Sequence, residues 1–371
     1  MSTLAVNAIT DSTGGNTATI NSATPTVYNT MGKNRIINGA MEIDQRNAGA
    51  SVTIVSNPTY TVDRWRFDIS VGSKLSAQQS SVAPVGFSNS MLITSLSAYT
   101  PSAGDQFVFN QLIEGFNTSD LNWGTANAKT VTLSFWVRSS LTGTFGGSIR
   151  NNTVNRSYVF SYTINSANTW EQKTITIAGD TTGTWETTNS TGVRLSFSLG
   201  SGSSTGNTAG SWYTANYRSV TGETQLVATS GATLYITGVQ LEVGSVATEF
   251  ERRPYGMELM LCQRYYFRMV DGDAQAIATG GYYTATDVRM VVNFPVTMRT
   301  GPSVVSSSGT DYFRIQRNGG DDAFNSILDG GPKTPTTIMV YQNSNVSGTA
   351  GHAGFVYSNN ASASLAFNAE L

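Results

Sequence analysis

The chain is poor in the residues on which most enzyme chemistry depends. It holds one cysteine, Cys262, and one histidine, His352, in 371 residues. A lone cysteine excludes an intrachain disulfide framework, and the pair is too few for a zinc site of the usual Cys/His spacing. His352 lies between Gly351 and Ala353 in a small-residue stretch and reads as a solvated loop residue. There is no HExxH pair, no P-loop and no strand-borne GxGxxG. Charge is also scarce: Asp, Glu, Lys and Arg make up 12% of the chain, against roughly 25% in an average soluble protein. The net charge is −2 and no basic run occurs, so no nucleic-acid partner is expected. No apolar run reaches the ~18 residues of a spanning helix, and no membrane insertion is expected.

What is abundant is Ser, Thr, Asn and Gly, with 37 glycines and 10% aromatic residues. Such a chain stays wet through hydroxyls and amides rather than charge, the composition of an all-β extracellular or virion protein. Residues 1–33 carry two charged side chains, Asp11 and Lys33, and too few aliphatics to fold alone. They read either as a disordered tail or as an extended arm that orders against other chains. The opening MSTLAVNAITDSTGG has neither the basic nor the apolar region of a signal peptide, so synthesis in a cytosol without an export signal is expected.

From residue 34 to 252, short segments of period-two hydrophobicity recur with turn residues between them. Val131, Leu133, Phe135 and Val137 alternate with Thr132, Ser134, Trp136 and Arg138, and Trp65, Phe67 and Ile69 with Arg66, Asp68 and Ser70. Eight to ten strands without helical periodicity predict a two-sheet sandwich with a jelly-roll path. Trp65 is expected in the core. Leu234, Ile236, Gly238 and Gln240 are assigned to one face of the last strand, and Tyr235, Thr237, Val239, Leu241 and Val243 to the other. Pro254 then opens a short helix within a connector at 253–269. Met257, Leu261 and Tyr265 form its apolar stripe. Residues 270–371 restart the strand pattern and predict a smaller C-terminal antiparallel β knob.

Three motifs resemble a known group. GVQLEVGSVATEFERRPYGMELMLCQRYY, NRIINGAMEIDQRNAGASV with YTVDRW, and LNWGTANAKTVTLSFWVRSS resemble signatures of bacteriophage tail-fibre and appendage proteins with a carbohydrate-binding-module-like jelly roll. The motifs bracket residues 34–267, and the C-terminal hundred residues match none of them. The resemblance implies a virion fibre or tail-appendage subunit, made in the host cytoplasm. It would attach to other tail or capsid proteins through residues 1–33, form a homotrimer, and bind host cell-surface polysaccharide. A purely structural capsid fibre or tail connector is the alternative, with a polysaccharide depolymerase behind it. Calcium is the one ion left open, because Asp44, Asp63 and Glu242 fall in the resembling motifs. No other cofactor is expected.

No enzyme is expected. A glycosidase needs two carboxylates held roughly 5–10 Å apart, and Glu242, Glu249, Glu251 and the Asp271/Asp273 pair read as structural. Sugar recognition asks instead for aromatic platforms beside a few placed polar groups. Two regions offer them. One is the Gly/Ser/Thr-rich loop at 200–232, with Trp212, Tyr213 and Tyr217 near Asn216 and Arg218. The other is the knob, with Tyr282 and Tyr283, then Arg317, Asn318, Asp321 and Asp322 around Gly319–Gly320, and the receptor contact is expected mainly there, in residues 270–371. Trp123 and Trp136 lie in the shared motif and are read as supporting the fold.

Overall fold

The computed structural model describes residues 32–371. They form an all-β protein, antiparallel except for one short parallel pair, with a single α-helix, Tyr255–Gln263, among the described residues. The expected arm at 1–33 lies outside them apart from Gly32 and Lys33. The chain divides into two compact units. The first takes in the described residues up to Glu42 with Gly49–Thr61 and Trp65–Arg253, and the second takes in Ile43–Ala48, Val62–Arg64 and Pro254–Leu371.

The first unit is a sandwich. One sheet runs Val52–Thr53, Leu75–Ser80, Ser90–Ser95, Thr233–Val243, Val131–Ser139, Glu171–Ile177. The other runs Trp212–Tyr213, Ser157–Ile164, Gly143–Arg150, Thr191–Ser201, Gln106–Glu114, Trp65–Ile69, Thr59–Tyr60. Successive strands change sheet repeatedly, which is the jelly-roll path. The period-two pattern explains the packing: Val131, Leu133, Phe135 and Val137 are all buried. Phe135 meets Phe197 and Tyr162 of the facing sheet edge-on, each with ring centroids 5.0 Å apart. Trp65 is buried, stacks on Phe109 at 4.6 Å, and donates its indole N–H to the Asn38 carbonyl at 3.0 Å. Each such buried side chain contributes about 1.5–3 kcal/mol from apolar area alone.

Two of the recognised motifs meet inside this unit. The Asn34 side chain bonds the backbone of the last strand through Val239 O at 3.1 Å and Leu241 N at 3.0 Å. Both Glu251 oxygens accept backbone N–H groups, from Gly32 at 2.6 Å and Asn34 at 2.7 Å. These motif residues close the sandwich. The face assignment of the last strand needs correction. Its pairing with Val131–Ser139 slips between Thr237 and Gln240, so the buried residues change parity, from Leu234 and Ile236 to Val239 and Leu241. The bulge sits at Gly238, whose φ of 61° suits glycine.

The second unit has a three-stranded sheet, ordered Tyr266–Asp271, Ser364–Asn368, Ser303–Ser306, and a six-stranded one, ordered Gly320–Phe324, Phe313–Arg317, Ala353–Ser358, Ala276–Thr284, Asp287–Asn293, Thr337–Gln342. Val288, Met290, Val292, Ile315, Val340 and Val356 belong to its core. The helix is shorter than expected, ending at Gln263 before a strand begins at Tyr266. Within it Glu258 and Cys262 are buried and Met257 is exposed with Tyr255 and Met260, while Tyr265, beyond its end, is buried. The two segments from the N-terminal half join this unit through charge. Arg46 lies 3.6 Å over the Tyr266 ring and 3.0 Å from Glu370, and Arg64 lies 3.5 Å over Tyr265 and pairs with the other Glu370 oxygen.

Candidate functional site

The seven-stranded sheet has two unlike faces. Trp65, Phe67, Phe109, Leu195, Phe197 and Ile149 turn into the sandwich. Strand alternation sends the residues between them to the far face. Register then assembles two rows there. In one row Arg194 pairs with Arg150, Arg150 with Ser157, and Ser157 with Tyr213. In the next, Arg66 pairs with Asn110, Asn110 with Ser196, and Ser196 with Ser148. The loop at 200–232 adds Asn216, Tyr217 and Arg218.

Hydrogen bonds fix this face. Arg150, 4% exposed, donates to Asn216 Oδ1 and to Ser196 Oγ, both at 2.9 Å. The Ser196 hydroxyl donates to Asn110 Oδ1. Arg194 reaches Asn152 Oδ1 at 3.4 Å, and Arg66 pairs with Asp68 at 3.2 Å. The loop is latched by Glu223, whose Oε1 accepts the hydroxyls of Ser198 and Ser201 at 2.7 Å each and whose Oε2 accepts that of Ser219. Burial pushes the Glu223 carboxyl up, against the pull of those hydroxyls.

Electrostatically the face is unbalanced. Burial, then the Arg218 and Arg194 charges, push the Arg150 guanidinium down to about 9. Burial also lowers Arg194 and Arg218. Asp68 works against the shift in all three, but it is the carboxylate that already pairs with Arg66. For Arg66, burial opposes the charge, but Asp68 and Tyr60 outweigh it and leave the guanidinium above its ordinary value. Asn110, Ser196, Ser157 and Arg150 are buried, and above them the half-buried Arg66, Arg194, Arg218 and Asn216 side chains and the Tyr60 and Tyr213 rings are what the face offers.

The residues singled out from the sequence separate into several places. Tyr213 lies in the arginine row, its ring 5.3 Å from that of Tyr217. Its hydroxyl donates to Thr208 O at 2.9 Å. Trp212 turns the other way, edge-on to Trp123, Trp185 and Tyr158, and donates to Ala178 O at 2.8 Å. In the second unit, Tyr282 is 2% exposed and donates to Asp322 at 2.7 Å, with Arg317 5.3 Å from its ring. Tyr283 is 66% exposed beneath Arg289 at 3.8 Å. Asp321 pairs with Arg314 at 3.0 Å, and Asn318 is exposed in the turn. Tyr282, Arg317 and Asp322 therefore come together, while Tyr283, Asn318 and Asp321 do not join them.

Among the described residues no three Asp, Glu, His or Cys gather as a metal site would require. Glu242 accepts Gln240 Nε2 and Thr248 N at 2.8 Å and Thr248 Oγ1 at 2.6 Å, and Asp63 accepts the Gln45 backbone and side chain. These two carboxylates are engaged as internal acceptors.

Sequence reading missed Arg66, Arg150 and Arg194 because each is an isolated charge alternating with apolar residues, and only strand pairing joins them. No protein-family model matches the chain, and no curated protein matches it. Among solved structures, it is similar to a family 4 carbohydrate-binding module (18% identity, TM-score 0.29, 56% of this chain and 98% of that one). Another is a family 11 module from Clostridium thermocellum in complex with a mixed-linked tetrasaccharide (14%, 0.28, 55% and 100%). A third is the enzymatically active domain of bacteriophage CBA120 tailspike protein 4 (15%, 0.30, 52% of this chain). This chain spans 22% of that tailspike domain's length. Similarity at this level assigns neither a family nor a ligand.

Proposed function

We propose that the chain is a subunit of a phage virion fibre or tail appendage that binds host-surface polysaccharide without cleaving it. The observation that carries the binding half is the far face of the seven-stranded sheet, where Asn110, Ser196, Arg150, Asn216 and Tyr213 converge within one hydrogen-bonded framework. At its half-buried positions the Asn216 amide and the Arg194 and Arg218 guanidiniums match sugar hydroxyls, and the Tyr213 and Tyr217 rings match sugar CH faces. The virion half rests on the three sequence motifs. Attachment through residues 1–33 and trimerisation belong to the same reading, and the helix supplies an apolar surface in Tyr255, Met257 and Met260. In a trimer, weak sites gain avidity by ~10²–10⁴.

The test is an array of bacterial surface polysaccharides probed with the labelled full-length chain and with Tyr213→Ala/Tyr217→Ala. Retention of the wild type and loss of the variant supports the reading. A chain that no polysaccharide retains belongs to the purely structural alternative. Release of reducing ends from a bound polymer would overturn the claim that it does not cleave.

A further inference from the structure

Arg150 and Arg194 are direct cross-strand partners, and Arg218 reaches the same place from the loop. Like charges directly opposed across a sheet destabilise it. Here they are also largely withdrawn from water, where an unbalanced charge is costly. The Nε groups of Arg150, Arg194 and Arg218 are buried and make no hydrogen bond among the described residues. Asp68, already paired with Arg66, cannot balance three further guanidiniums. The chain as a whole is slightly acidic at −2, so the concentration of positive charge is local. Arg194 and Arg218 are half-buried, and the half-buried Tyr213 and Asn216 flank them, so the group that balances them can enter from solvent.

We infer that the Arg150–Arg194–Arg218 cluster is a subsite for the carboxylate of an acidic sugar, so that the polysaccharide this face takes is a uronic-acid-type polyanion. The assignment rests on the glycan-binding reading above and specifies its ligand. Guanidinium is a planar fork that meets a carboxylate through two parallel N–H bonds. The Arg150 fork is engaged by Asn216 and Ser196, so the half-buried Arg194 and Arg218 forks meet the carboxylate and the Arg150 charge stands behind them. The neighbouring half-buried Asn216 and Tyr213 are suited to hydroxyls and a ring face rather than to a bare ion. The depressed Arg150 charge fits the same picture, since an entering carboxylate restores it.

The experiment compares the full-length wild type with Arg194→Gln, Arg218→Gln and the remote Arg138→Gln. Melting is followed with millimolar glucuronate, glucose or sulfate at matched ionic strength, and affinity is measured in parallel. Glucuronate should raise the wild-type melting temperature, and glucose should leave it unchanged. Arg194→Gln and Arg218→Gln should each weaken glucuronate binding at least about tenfold, whereas Arg138→Gln should not. Without ligand, Arg194→Gln should melt no lower than wild type, because a like charge has gone. That separates a lost subsite from a damaged fold. The inference is overturned if glucuronate gives no shift, if Arg194→Gln responds as wild type does, or if sulfate serves equally well. Should neutral polysaccharides still be retained on the array in those cases, the binding reading survives without its acidic ligand. Failure of the array with a positive glucuronate shift would instead remove the polysaccharide reading and leave a small-molecule acid site.

Discussion

Arg150 and Arg194 face each other as paired residues of the Gly143–Arg150 and Thr191–Ser201 strands, and the carboxylate acting on both, that of Asp68, is bonded to Arg66. One acid therefore moderates the field of a whole arginine cluster. Replacing Asp68 by Asn keeps the shape and removes the charge. Breaking a largely buried pair in this way costs about 3 kcal/mol, read as a lower urea midpoint at unchanged slope. Adding Arg194→Gln should recover part of the loss, because the two sites share one electrostatic balance. Additive effects would show that the charges act independently.

The second unit should be less stable in mild alkali than in mild acid. Burial pushes the Asp63 carboxyl up to about 7, although Arg46 and a Gln45 hydrogen bond pull it down and Glu370 adds to the rise. The unfolded value is near 4. A raised folded pKa gives stability that is fully present below the unfolded value and is lost as pH rises through about 7. The expected difference between pH 5 and pH 8 is on the order of 3 kcal/mol. Asp63→Asn should remove that component, so the wild-type and variant denaturation curves should converge at low pH and part at high pH. Parallel pH profiles would show that Asp63 ionises at its ordinary value.

Much of the sandwich was legible because burial on one sheet face writes period two into the chain. Val131 to Val137 and Trp65 to Ile69 carry that pattern without interruption. The Thr233–Val243 strand was legible as a strand but not in its faces. A bulge adds one residue and inverts parity, and only the glycine at position 238 hints at it. The helix was legible from Pro254 onward, but its extent was not, since Tyr265 and Tyr266 suit a helix or a strand. In the candidate site, Tyr213, Asn216, Tyr217 and Arg218 could be read from aromatics set in a polar loop. Arg66, Arg150 and Arg194 could not, because a strand arginine reads as a solvated outer position until its neighbours are known.

Gly238 gives a sharp test of the bulge. Its φ of 61° disfavours a side chain, and a Cβ there would stand 2.7 Å from the Phe87 ring and 3.1 Å from Trp136. Gly238→Ala should cost about 1–3 kcal/mol through strain and overpacking, and Gly238→Val more. Gly231, also at positive φ but with nothing near its Cβ position, provides the comparison. Its alanine variant carries the backbone penalty alone, so the difference between the two melting temperatures isolates the packing against Phe87. Equal losses would place the Phe87 ring elsewhere.

Glu223 links the stability of the loop to the binding face. Its carboxylate gathers the hydroxyls of Ser198 and Ser201 from the sheet and of Ser219 from the loop, a few residues beyond Asn216, Tyr217 and Arg218. Glu223→Ala would strip three buried hydroxyls of their acceptor, and unsatisfied buried groups cost about 1–3 kcal/mol. The loss should be local, because the sandwich core of Phe109, Phe135 and Phe197 is untouched. Amide exchange should therefore quicken around residues 205–222 while the Val131–Ser139 strand keeps its protection. Polysaccharide retention should fall with the loosened loop, since the Asn216 and Arg218 side chains would no longer be held over Arg150. Glu223→Gln keeps the acceptor oxygen and should restore most of both. A Glu223→Ala chain that exchanges and binds as wild type does would mean that the loop is held by its backbone bonds, such as Arg218 N to Thr205 O at 2.8 Å and Thr224 N to Thr144 O at 2.6 Å, and that the carboxylate is incidental.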